Sequence, residues 1–384
     1  MRFTELAWAA VPYVVGAFIA AAVIALALTP LVRAVALRVD AVDTPDHRRV
    51  NLVPLPRGGG VAVAAAFISV VLAFMWLNSQ LAWIAVPTTI DTPTLVALLL
   101  GGALAVVFGV LDDYFDLRAR WQFAAQLILA GLAVGLGVTI EVLSNPLGSE
   151  LIRLEGLVAV GFTVLWIVGM LNSINFIDGL DGLSSGVVLI AAVTLGLISL
   201  TLVSQIYVAV LCFALAGALL GFLRYNFHPA TIFVGTSGVM FMGYTLAVLS
   251  IVGTAKIAVA LLVLAVPIID AFWIIVRRLA QGRSPFSPDR GHLHHRLLDT
   301  GLSHRQTVLL IYAICIGLGG LSLLLSGAGQ VYAFLGVFVL IGLALFALSR
   351  IDLGGPDAEE RAEREETRDD GRSRAQGSPT SRLS

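Results

Sequence analysis

Charge is what this sequence has least of. Of its 384 residues, 13% are Asp, Glu, Lys or Arg, against about 25% in an ordinary soluble domain. Hydrophobic residues make up 58% and the mean hydropathy is +0.93. That balance excludes a water-soluble enzyme, and it excludes a disordered chain, which needs few apolar residues and much charge. Cysteine is almost absent. Cys212 and Cys315 both fall in apolar runs, which rules out a disulfide scaffold and reads as two buried small side chains. The formal net charge is −1, so no nucleic-acid partner is expected.

What the chain has instead is long apolar runs. Eleven can be drawn, near 12–36, 58–78, 93–111, 121–139, 156–175, 183–203, 206–223, 237–253, 256–276, 305–325 and 330–349. A span needs about 20 mostly apolar residues. The runs are continuous rather than alternating, which selects helices over a barrel. The first run continues past the cleavage-like Ala25-Leu26-Ala27, so it reads as a retained helix rather than a signal peptide. The expected fold is therefore an all-α polytopic membrane protein of about eleven helices spanning 1–350. The charged tail, 351–384, has too few apolar residues to fold and is expected to be disordered. With eleven spans, 3 of the 24 basic residues fall on one side (Arg2, Arg153, Lys256) and 21 on the other. The positive-inside rule makes the second side cytoplasmic, with the N-terminus outside and the C-terminus inside. All six histidines and most of the acids before the tail fall on that same side.

Five segments of the basic side hold the candidate chemistry. Asp43 to Gly60 carries Arg48, Arg49 and Arg57 before three glycines, a loop suited to phosphate oxygens or equally a basic membrane anchor. GVLDDYFDLRARWQ places Asp112, Asp113 and Asp116 within five residues. If the helix continues, Asp112 and Asp116 share a face, and clustered acids at a membrane boundary point to a bound cation or catalysis. NSINFIDGLDGL repeats Asn172, Asn175, Asp178 and Asp181 every three residues, with Gly179 and Gly182 between and after the acids; a plain interhelical turn needs none of these polar groups. In RYNFHPATIFVGTSGV, Asn226 and His228 precede Pro229, and Gly235-Thr236-Ser237-Gly238 opens a helix whose free N–H groups suit an anion or an ordinary cap. Finally, His292, His294 and His295 lie between Arg290 and Arg296, a setting that suits a diphosphate better than a zinc ion.

Together, LDDYFD, NSINFIDGLDGL, NFHPATIFVG and GHLHHRL, in that order, resemble the polyprenyl-phosphate N-acetylhexosamine-1-phosphate transferase superfamily over roughly residues 10–350. The resemblance implies a bacterial-type plasma-membrane enzyme with its active site on the cytoplasmic face. It would use Mg²⁺, with Mn²⁺ as the alternative ion, and move a sugar-1-phosphate from a UDP-sugar to a polyprenyl phosphate with release of UMP. The interrupted H-x-H-H looks more like the UDP-N-acetylglucosamine branch than the UDP-N-acetylmuramoyl-pentapeptide branch. By motif, Asp112, Asp113 and Asp178 are the implied catalytic residues, and Asp112, Asp113, Asn175 and Asp178 the implied metal ligands. Arg57, Asn172, Asp181, Asn226, Phe233, His292, His294 and His295 are the implied substrate contacts. The implied partners are the UDP-sugar, the polyprenyl phosphate, membrane lipid and a second copy in a homodimer. The implied step is attack by the lipid phosphate on the β-phosphorus, with Asp112 or Asp113 taking a proton; a two-step route through an aspartyl-phosphate is the alternative.

One position departs from the family pattern. Where the family has G-D-x-G-S, this chain has Gly235-Thr236-Ser237-Gly238-Val239, so Thr236 replaces the carboxylate of an implied metal ligand. A homologue that binds lipid phosphate without turnover is therefore a rival reading. A transporter is another, with Asp270 beside Pro267 as its best buried acid.

Overall fold

The computed structural model describes residues 2–43, 54–84, 90–145, 151–201, 205–252, 257–282, 284 and 291–350. The tail from 351 onward, and with it the expectation of disorder, lies outside the described residues, as do Arg48, Arg49 and Arg290. The chain is an all-α bundle. In order, its helices are α1 (Arg2–Arg38), α2 (Gly60–Leu81), α3 (Thr92–Phe115), α4 (Ala119–Gly135), α5 (Gly156–Ile177), α6 (Leu183–Thr201), α7 (Ile206–Asn226), α8 (Gly235–Val252), α9 (Ile257–Val263), α10 (Ala265–Ala280), α11 (Leu293–Asp299), α12 (His304–Leu324) and α13 (Ala328–Arg350). Two short antiparallel ladders join them: β1 (Val42–Asp43) with β2 (Leu55–Pro56), and β3 (Val142–Leu143) with β4 (Ile152–Arg153).

Among the described residues, nine helices are long and apolar enough to cross a membrane, and ten if α9 and α10 are one broken span. The eleventh expected span, near 121–139, is the 17-residue α4, short for a 30 Å hydrocarbon layer. The ninth run is not one straight helix either. It breaks at Leu264, and α10 leaves α9 at 77°. Pro267 supplies the reason: it donates no N–H, and its ring crowds the carbonyl four residues back, at Val263.

The interior is built around α7 and α8, whose residues are buried on almost every side. Helices α1 and α6 pack on α7, and α3 and α5 pack on α8. Polar bonds cross between helices where lipid offers no alternative partner. Tyr244 Oη donates to Ala97 O at 2.8 Å, and Trp166 Nε1 donates to Ser250 Oγ at 3.0 Å. A side chain on Gly101 would overlap the Tyr244 hydroxyl.

At the end of the bundle where α3 and α5 finish and α2, α6, α8 and α12 begin, local sequence sets sharp stops. Asp116 closes α3 in the left-handed region at φ 47°. Ser303 and Gln306 form a reciprocal capping box at the start of α12. In the triplet Gly58-Gly59-Gly60, the second and third glycines serve close packing. A Cβ at Gly60 would fall on the backbone of Gly238, and one at Gly59 on the Phe222 ring and Phe233 O. The first turn of α2 thus lies directly against the first turn of α8, held by Gly60 N–H to Val234 O at 2.8 Å.

Candidate active site

The chemistry-bearing residues converge on this one end, around two cavities that meet. The first, of about 400 Å³, is acidic. It is lined by Asp43, Asp112, Asp113, Asp116, Asp178 and Asp181, with Arg57, Asn226, Phe233, Thr236 and His295 completing its wall. The second, of about 380 Å³, is lined by amides, imidazoles and one guanidinium: Gln122, Gln126, Asn172, Asn175, Arg278, His292, His294 and His295. Asn175, Asp178, Gly179 and His295 belong to both. The twelve residues given catalytic, metal or substrate roles by the resemblance, and Thr236 with them, line one lobe or the other, whereas His228 and Asp270 line neither.

In the acidic lobe, the carboxylates are held by backbone N–H groups. Asp113 Oδ1 accepts from Thr236 N at 2.7 Å and Asp113 Oδ2 from Ser237 N at 3.1 Å. The N-terminus of α8 therefore does take an anion, as its sequence suggested, but the anion is a side chain of α3. Gly235, at φ 72°, leaves room for that carboxylate; a Cβ there would lie 2.6 Å from Asp113 Oδ2. Asp112 Oδ1 accepts from Leu117 N at 3.1 Å and from Gln122 Nε2 at 2.8 Å. The expected shared face of Asp112 and Asp116 is not formed: α3 ends at Phe115, and Asp116 turns out to solvent with its side chain 93% exposed. Arg57 pairs with Asp43 and reaches Asp116 at 3.5 Å.

Between the lobes, Asp178 caps the end of α5 and accepts from the Ser184 hydroxyl. Burial pushes its carboxyl up to about 7, the Ser184 bond opposing and the charges of Asp113 and Asp181 adding to the rise. Asp181 points elsewhere: its Oδ2 lies 2.8 Å from His228 Nδ1 and accepts from Ala230 N at 3.1 Å. Asn226 lines the cavity, but its amide is engaged with Ser185 Oγ at 2.6 Å and Ile232 O at 3.1 Å. Phe233 is half-buried on the cavity wall, its N–H bonded to Pro56 O and its carbonyl to Gly59 N, each at 2.9 Å.

In the second lobe, Asn172 Nδ2 donates to Gln126 Oε1 at 2.7 Å. His294 is 2% exposed, with Nε2 bonded to no group. Gly179 exists to admit it, since a Cβ there would overlap Nε2. Burial, with the neighbouring histidines, pulls this imidazole well below its ordinary value, so it is neutral. His292 Nδ1 lies 2.8 Å from Asp270 Oδ2, and Leu293 N donates to Asp270 Oδ1 at 2.8 Å. Asp270 thus stands behind the cavity wall and holds His292 from there. Sequence reasoning missed Gln122, Gln126 and Arg278; the two glutamines stand four residues apart on α4, a one-face spacing that could have flagged them, and Arg278, next to Arg277, lies over the Phe176 ring at 5.6 Å.

The middle of the chain, residues 95–254, matches the model of glycosyl transferase family 4. A probable undecaprenyl-phosphate N-acetylglucosaminyl 1-phosphate transferase of Bacillus subtilis is 38% identical over 308 residues, covering 78% of this chain and 82% of the relative. The chain belongs to glycosyl transferase family 4. A decaprenyl-phosphate N-acetylglucosaminephosphotransferase of Mycolicibacterium smegmatis is 36% identical, covering 88% of this chain and 89% of its own. An undecaprenyl-phosphate alpha-N-acetylglucosaminyl 1-phosphate transferase of Yersinia pestis is 28% identical over 82% of this chain. The family-4 match runs from early in α3 to just past α8, so it contains the whole acidic lobe except Asp43, Arg57 and His295.

Proposed function

We propose that this family-4 protein transfers N-acetylglucosamine-1-phosphate from UDP-N-acetylglucosamine to a polyprenyl phosphate, releasing UMP, at the cytoplasmic face of a bacterial plasma membrane. The observation that carries the reading is the pair of joined lobes at one end of a membrane bundle, in a chain whose relatives bear that activity in their names. Two phosphorylated substrates, one soluble and one in lipid, must meet where water meets hydrocarbon. The basic-residue asymmetry of the loops supports placing this end inside, with the N-terminus outside. The arrangement disfavours a transporter, whose site sits near the midplane.

The acidic lobe fits a divalent cation. Among the described residues, six carboxylates line it with Arg57 as the one guanidinium, and a buried carboxyl as unsettled as that of Asp178 is the kind of group a cation stabilises. Asp112, Asp113, Asn175 and Asp178 are the residues that would hold Mg²⁺. When bound there, the ion would offset the charge of a diphosphate. Arg57 and Phe233 border the same lobe and suit the nucleotide half of the donor. The amides, histidines and Arg278 of the second lobe suit phosphate oxygens. Purified protein in lipid, given UDP-N-acetylglucosamine, undecaprenyl phosphate and Mg²⁺, is expected to release UMP and form the lipid-linked sugar diphosphate. Absence of UMP with either family donor, across lipid phosphates of several lengths, would overturn this.

A further inference from the structure

Both oxygens of Asp113 and Oδ1 of Asp112 already accept from N–H groups, of Thr236, Ser237, Leu117 and Gln122, which stabilises these carboxylates as anions and weakens them as bases. The second lobe offers another candidate base. His292 is 8% exposed, forms the N-cap of α11 and lines the cavity. Its Nδ1 faces Asp270 Oδ2, while Asp270 Oδ1 accepts from Leu293 N. Asp270 is itself 2% exposed. An ionised carboxylate only accepts, so Nδ1 must carry the proton. The neutral ring then presents its Nε2 lone pair as the nitrogen left for the cavity. His294 is not equivalent, because its Nε2 lies against Gly179.

We propose that His292 is the general base of the transfer and Asp270 the positioning residue that fixes its tautomer. The assignment rests on the transferase reading above. The polyprenyl phosphate monoanion gives its O–H proton to His292 Nε2. The freed oxygen forms a bond to the β-phosphorus of the UDP-sugar as the bond from that phosphorus to the UMP oxygen breaks, and UMP leaves with the electron pair. The imidazolium is paired with Asp270 until it returns its proton to water.

Asp270→Asn is a sharp test, since it keeps the shape. Asparagine has one acceptor oxygen, and Leu293 N–H can only donate. The oxygen therefore stays on Leu293 and the amide NH₂ turns to His292, forcing Nδ1 to accept and Nε2 to carry the proton. The same contact survives with the wrong tautomer. In full-length protein in nanodiscs, with ¹⁵N-histidine and His292 assigned through His292→Gln, the ring is expected to be Nδ1-protonated about two pH units above the ordinary imidazole value. It should be Nε2-protonated in Asp270→Asn. With both substrates, Asp270→Asn should lower kcat by about 10²-fold or more, leave each KM within about threefold, and add nothing in the His292→Gln background. An Nε2-protonated wild-type ring, a kcat retained within about threefold, or losses that multiply in the double variant would each overturn the proposal. A wild type without turnover would overturn the transferase reading and with it the base role; the ¹⁵N spectrum still decides separately whether Asp270 sets the tautomer.

Discussion

Thr236 stands where the resemblance implies a carboxylate, and it is half-buried on the acidic lobe with its N–H on Asp113. A neutral hydroxyl attracts a divalent ion less than a carboxylate does. Apparent Mg²⁺ affinity is thus expected to be weak without the UDP-sugar and stronger with it, since the diphosphate supplies the missing charge. Thr236→Asp should tighten it by about tenfold; superimposable Mg²⁺ titrations of activity would show that Thr236 does not touch the ion. Asp113→Asn should do the opposite. Thr236 N and Ser237 N each bond a different oxygen, so the new NH₂ must face one of these N–H donors, and turnover should be lost. Asp178 gives a pH signature. Its folded carboxyl titrates near 7, above the ordinary 3.8, so ionising it costs folding free energy. Its contribution is fully present below about 3.8 and is lost as pH rises through 7. Without metal, the thermal midpoint should fall as pH rises from about 4 to 7 and level off above it. Asp178→Asn should flatten that fall, and an unchanged slope in the variant would count against the burial argument.

At the scale of elements, the site depends on how closely α2, α3 and α8 approach. Gly60 lies on the backbone of Gly238, and Gly109 of α3 lies on the backbone of Ser237. Because these neighbours are backbone, an added methyl cannot be accommodated by a rotamer change; a helix must move. Gly109→Ala is expected to cost about 1–3 kcal/mol and to pull the start of α8 from Asp113. Thermal stability and activity should therefore fall together. Normal activity in a destabilised variant would separate the packing from the site. The order of the long apolar helices was legible because each run is continuous; their number was not, since nine or ten of the described helices, rather than eleven, are long and apolar enough to cross a membrane. The bend between α9 and α10 was legible only as Pro267. The reversal at Asp116 was not, since nothing local distinguishes an aspartate that continues α3 from one that ends it. The packing role of the glycines was not legible: only the third dimension shows that Gly60 lies against α8, Gly59 against Phe222 and Phe233, and that Gly179 makes room for His294.

The whole molecule is a slab with a polar end. Helix α2, of 22 residues, is about 33 Å long, matching the hydrocarbon layer. Exposed aromatics mark both of its rims: Trp76 and Trp83 at the far end, and Tyr114, Phe115 and Trp121 near the site. Such belts sit at the two water boundaries, so the lobes lie at one boundary rather than at mid-membrane. Which boundary faces the cytoplasm follows from loop charge, and the molecule is well suited to a direct test because both native cysteines are buried. Asp299, exposed at the end of α11, is at the site end, and Gln80, exposed near the end of α2, is at the other. In intact cells, a membrane-impermeant maleimide is expected to label Gln80→Cys and not Asp299→Cys. Opening the cells should expose Asp299→Cys, while the wild type stays unlabelled throughout. Labelling of Asp299→Cys from outside would place the two lobes on the face that soluble nucleotide-sugars do not reach, and the donor assignment would fail together with the orientation.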